Sequence, residues 1–159
     1  YSGDEECPKT VLDFGAGNVE DATIDNLGGD IAEEIGLVVS DQNKIKVQLY
    51  DKSGSTYKKK DNKIELENLT NSKMLFTDID GNSKKEIIIA GENGSNETLL
   101  QIYADYENDY NFLTEIKSPT GVSFTDMSVG NTNSKSGNEV VVAMRKDFDA
   151  MILYLGLTK

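Results

Sequence analysis

Apolar residues in this chain fall in short runs, β-branched or aromatic, each bounded by Gly, Asn, Asp or Ser, and helical spacing is nearly absent. The runs "IGLVVS" (35–40), "IKVQLY" (45–50), "KMLFT" (73–77), "IIIAG" (87–91) and "TLLQIYA" (98–104) therefore predict strands. So do "NFLTEI" (111–116), "VSFTDM" (122–127), "VVVAM" (140–144) and "AMILYL" (150–155). Weaker versions of the pattern occur at "TVLDF" (10–14), "EDATI" (20–24) and "KIELENL" (63–69). The reading is a single all-β domain spanning 1–159.

The strands recur with a period. "DNLGGDIAEEIGLVVS" from Asp25, "TDIDGNSKKEIIIAG" from Thr77 and "GNTNSKSGNEVVVAM" from Gly130 fall into register, each with a Glu directly before a buried run. Those residues, Glu34, Glu86 and Glu139, are 52 and 53 positions apart, and Asn26, Asp78 and Asn131 each stand eight places earlier. The next strand repeats as "VQLYD", "LQIYA" and "MILYL", aligning Tyr50, Tyr103 and Tyr154, and Tyr57 and Tyr110 keep the 53-residue offset. Self-similarity at this period, with about four strands per unit, points to a propeller or another stacked β array.

The loop "DIDGNSKKE" running straight into "IIIA", followed by "LQIY" and a Gly-containing turn, resembles the FG-GAP/VCBS repeat. That repeat builds the β-propellers of integrin α-chain heads and of many secreted microbial proteins. The resemblance runs from Asn18 onward; it is strongest at Asp78 to Ala90, good at Gly130 to Ala143 and looser at Asp25 to Val39, where "DNLGGD" replaces the usual Asp-x-Asp opening. It implies a β-propeller-like array of about three four-stranded blades, with repeats starting near 25, 77 and 130 and N-terminal strands in 10–24 completing a blade. Three blades are too few to close a ring. The expectation is thus a segment of a larger propeller, or an array whose open edges meet neighbouring blades or a second copy. A β-sandwich of the same strands is the alternative.

Composition narrows the chemistry. The 28 acidic and 16 basic residues give a net charge of -12, which repels nucleic acid and anionic lipid and suits a multivalent cation. No run approaches the roughly 20 apolar residues of a membrane helix, so insertion into a membrane is not expected. Histidine is absent and Cys7 is the lone cysteine, which excludes His-activated nucleophiles, an internal disulfide and CxxC sites. The expected protein is not an enzyme.

Calcium takes six to eight oxygen ligands from short acidic loops with a glycine at the sharp turn. The resemblance implies that Asp78, Asp80 and Asn82 would offer side-chain oxygens, Lys84 its backbone carbonyl and Glu86 a closing carboxylate, with Gly81 at the turn. The loop is shorter than an EF-hand and is followed by a strand. The same residues also read as a metal-free turn in which Asx side chains bond neighbouring amides. The first loop (Asn26, Gly28, Asp30, Glu34) lacks one such side chain, and the third (Asn131, Asn133, Lys135, Glu139) has a single carboxylate and a lysine among its positions.

The chain begins at Tyr1 rather than Met, as expected of a processed or excised protein, and the sequons at Asn68, Asn93 and Asn96 fit a secreted glycoprotein. The functional expectation is a secreted or cell-surface interaction or adhesion module, meeting a protein or glycan ligand at its loops and holding structural Ca2+. The alternatives are a structural subunit of a surface assembly, or a propeller part of a polysaccharide-acting enzyme. Lys58, Lys59 and Lys60 read as a solvated turn. Tyr103, Tyr106, Tyr110 and Phe112 read as packing residues before a carbohydrate-stacking surface. Arg145, the lone arginine, lies in a hairpin turn.

Overall fold

A computed structural model describes residues 12–27, 32–42, 44–61, 64–104, 110–132 and 137–156. The described residues form twelve strands and no helix. In order these are β1 (Asn18–Asp25), β2 (Glu34–Asp41), β3 (Lys44–Ser53), β4 (Thr56–Lys60), β5 (Glu65–Glu67), β6 (Leu69–Thr77), β7 (Glu86–Asn93), β8 (Thr98–Ala104), β9 (Asn111–Lys117), β10 (Ser123–Gly130), β11 (Glu139–Lys146) and β12 (Asp149–Leu155). They build three antiparallel sheets, β1-β2-β3-β4 with β5 also on β3, then β6-β7-β8-β9, then β10-β11-β12, and none closes on itself. β4 pairs with the C-terminal half of β3 and β5 with its N-terminal half, so together they occupy one fourth-strand position.

Alternation of side chains across each strand explains how the sheets stack. In β7, Ile87 and Ile89 face a core shared with Val38, Ile45, Val47 and Leu49 of the first sheet. Ile88 and Ala90 face the opposite way, into a core shared with Phe124, Val140 and Val142 of the third. The unbroken apolar run "IIIA" is therefore the mark of a strand covered on both faces, where an alternating pattern would expose half of it. The first sheet turns Leu37, Val39 and Tyr50 outward, against Leu12 and Phe14. Gly36 makes room for this stacking, since a Cβ there would overlap Phe76 Cζ and lie 2.6 Å from Met74 Cε, so that both side chains would have to move.

Each first strand carries a register shift at a matching place, between Val19 and Asp21, Thr70 and Lys73, and Phe124 and Asp126. These bulges join neighbouring sheets. Asp21 Oδ2 accepts the Met74 N–H at 2.8 Å, and Asn71 Nδ2 donates to the Phe124 carbonyl at 3.2 Å, each bond spanning 53 residues. One repeat length thus separates the residues that hold one sheet to the next.

Four sequence expectations change. Residues 12–14 are not a strand, while residues 10 and 11 of that segment, with Cys7 and Tyr106, lie outside the described residues. "TYKKK" is strand β4 rather than a turn; lysines protect an exposed sheet edge, and Lys60 Nζ lies 5.8 Å from the Tyr110 ring centroid. Arg145 lies within β11, one residue before its end and paired with Ala150, and the turn itself is Asp147 and Phe148. Tyr154 does not continue the series of Tyr50 and Tyr103. Tyr50 pairs with Ile35 and Tyr103 with Ile87, but the residue across from Val140 is Leu155. A shift of one position turns a strand residue to the other face, so Tyr154 is half exposed where its counterparts are buried.

Candidate metal centre

The three repeated glutamates share one environment. Each opens the second strand of its sheet and pairs across the hairpin, Glu34 with Asp25, Glu86 with Thr77 and Glu139 with Gly130. Each is buried, at 2%, 3% and 3% exposure. In each, Oε2 accepts the backbone N–H seven residues upstream, from Leu27 at 2.6 Å, Ile79 at 2.9 Å and Thr132 at 2.7 Å. A buried carboxylate needs such donors, and here they fold the loop back on the strand.

The middle loop alone, among the described residues, brings further acid to that point. Among the described residues, Asp78, Asp80 and Glu86 are the one group of three whose ligand atoms lie within 4.8 Å of one another. Twice a calcium–oxygen bond is about 4.6 to 5.2 Å, so three oxygens so placed fit around one ion. Asp78 Oδ1 accepts the amides of Gly81 (2.6 Å) and Asn82 (3.1 Å), and its Oδ2 that of Ser83 (2.8 Å). Asp80 takes the Asn82 amide and the Asn82 Nδ2, and Asn82 Oδ1 accepts the Lys84 N–H at 2.7 Å. The sequence "DGNS" makes this possible, with Gly81 at φ 75° and Ser83 at φ 69° turning the amides inward. The Asx-turn reading and the acidic cluster therefore coexist. Each carboxylate oxygen has two lone pairs, and the amide contacts leave capacity for a cation.

Electrostatics gives the cluster its strain. Burial, with the nearby Asp80 and Asp78 carboxylates adding to it, pushes Glu86 up from 4.5 to about 7 against the opposing Ile79 N–H bond. Either a proton or a metal ion relieves that. A cavity of about 290 Å³ lined by Ile79, Asp80, Asn82, Lys84, Glu86, Ala104 and Leu113 opens beside the loop.

The neighbouring loops brace this one. The Asn138 N–H donates to the Asp78 carbonyl at 2.7 Å, and Asn138 Nδ2 to Thr77 Oγ1 at 3.0 Å. Gly137 (φ 92°) presses so close that a Cβ would stand 2.9 Å from the Ile79 carbonyl oxygen. On the other side Lys85 forms an ion pair with Asp25. Sequence reasoning missed this bracing, which joins loops of neighbouring sheets through residues such as Asn138 and Thr77, 61 positions apart. In the outer loops Gly28, Asp30, Asn133 and Lys135 lie outside the described residues. Of the aromatic group, Tyr103 and Tyr110 are in the core and Phe112 is 56% exposed, stacked edge-on to Tyr103 at 5.7 Å. Asn93 is engaged, its Nδ2 donating to Glu97 Oε2 at 2.9 Å.

Comparison with protein-family models, curated proteins and solved structures finds no match to this chain.

Proposed function

We propose that this chain is a non-catalytic interaction or adhesion module, secreted or displayed at a cell surface, whose sheets are propeller blades of the FG-GAP/VCBS kind. In this reading Ca2+ sits at Asp78, Asp80, Asn82, the Lys84 carbonyl and Glu86, fastening the loop to β7, and a protein or glycan ligand meets the loops. The observation that carries it is the shared loop plan, a buried glutamate bound by the amide seven residues before it in all three sheets, with two extra carboxylates in the middle one. The ion would supply charge neutralisation and stiffening, and the chain's own amides would preset the loop.

Titration calorimetry of CaCl2 into chelator-treated protein tests the metal. Heat of binding at about one ion per chain, lost in Asp80→Asn and Glu86→Gln, is the expected result. No heat in the unaltered protein leaves the 78–86 segment a hydrogen-bonded turn. A structural subunit of a larger assembly is the second reading, favoured by the uncovered outer face of the third sheet.

A further inference from the structure

Among the described residues the outer face of the first sheet is covered and that of the third is not. Phe14 and Leu12 lie over the outer face of the first sheet, where Gln48 Nε2 donates to the Phe14 carbonyl at 2.9 Å and the Tyr50 hydroxyl to the Asp13 carbonyl at 3.0 Å. At the third sheet the pairs Val141–Tyr154 and Ala143–Ile152 point away from the core that Val140, Val142 and Met144 fill. Among the described residues nothing covers them: Ile152 is 73% and Tyr154 50% exposed, and Phe148 at the adjoining hairpin tip is fully exposed.

The matching faces of the other two sheets are interfaces already. Residues four places after the repeated glutamate mark them, and Val38 and Ala90 are buried beneath the following sheet while their counterpart Ala143 has no sheet over it. Asp21, which accepts the Met74 N–H of the next sheet, pairs with Val38 as Asp126 pairs with Ala143. Among the described residues, then, no layer lies on the face of the third sheet that corresponds to the stacking faces of the other two. On its strands the charges are Asp126 and Arg145, one of each sign, in a chain of net charge -12. The strands of this face bring no excess of like charge into contact with a second copy, and Leu12 and Phe14 lie over the face of the first sheet that head-to-tail stacking would use.

We propose that the outer face of the third sheet docks the same face of a second copy about a two-fold axis, forming a closed pair. Three strands about 4.8 Å apart and seven residues of about 3.3 Å present roughly 330 Å² of sheet, small beside the roughly 800 Å² per partner of a standard interface. The pair is accordingly weak and transient. This inference is independent of the calcium reading.

Sedimentation of the full chain from about 5 to 500 µM tests it. The mass is expected to rise from one copy to two. Ile152→Lys, at a site too exposed to disturb folding, is expected to weaken pairing at least about tenfold with an unchanged melting midpoint. A single-copy mass at every concentration overturns the proposal, as does growth beyond two copies or a dimer indifferent to Ile152→Lys. Single copies in which Ile152→Lys lowers the melting midpoint also overturn it, since the face is then covered by the chain itself.

Discussion

Glu86 and Glu139 occupy the same place in their sheets: each opens a strand, each is 3% exposed, and each accepts the amide seven residues upstream. Around them the second and third sheets diverge. The second is covered on both faces and its loop adds Asp78 and Asp80; the third is covered on one face by the described residues, and its segment 130–139 contains no other carboxylate. The residues donating to the glutamates follow suit, since Ile79 is buried between two sheets whereas Thr132 is exposed and bonds Tyr154. A shared hairpin plan therefore fixes the backbone, and the neighbours decide what chemistry it carries.

Side-chain truncation should separate the two sheets most widely. Ile89→Ala in the doubly covered sheet is expected to lose about 3 to 5 kcal/mol in urea unfolding, and Ile152→Ala on the open face less than about 0.5 kcal/mol. Equal losses would break the comparison.

The glutamate of the acidic loop gives the next largest effect. Its pKa is about 7 when folded and near 4.5 when exposed, so the folded state holds the extra proton between those values. The resulting stabilisation is complete below pH 4.5 and is lost as pH rises through 7, with an upper bound of about 3 kcal/mol. In chelator, Glu86→Gln should therefore gain on the unaltered protein as pH climbs from 5 to 8, whereas a difference flat with pH would contradict the burial argument.

Calcium at ten times its dissociation constant should add about 1.4 kcal/mol, roughly 4 °C in melting midpoint for a chain of this size. Asp80→Asn should abolish that shift, and Asn131→Asp in the third loop should not create a second one. The smallest contrast lies in the bulges. Asp21→Ala breaks the bond to the Met74 amide of the next sheet and is expected to cost about 1 kcal/mol, while Asp126→Ala, which loses only a bond to the adjacent Met127 amide in its own strand, should cost less in thermal melts.

Much of the strand pattern was legible because side-chain alternation and turn residues are local signals. The repeated glutamates were legible as a period, and their common environment gives that period a structural meaning. β4 was hidden because "TYKKK" has no apolar alternation; backbone pairing to β3 makes it a strand. The turning of Tyr154 was hidden because spacings of 53 and 51 look alike in sequence, while a difference of one position relative to Leu155 reverses the face. The acidic cluster was readable as a set of residues. The rise in the Glu86 pKa was not, since it follows from burial that only the stacked sheets create.

Along each sheet, strands that lie side by side also follow one another in the chain, with β5 returning to β3 as the single exception. A gene segment encoding one such meander can be copied or lost without cutting any hydrogen-bonded strand pair, provided the breaks fall between β5 and β6 or between β9 and β10. The architecture is thereby open to lengthening by duplication, each added layer bringing its own hairpin tip on which acidic residues can be substituted one at a time.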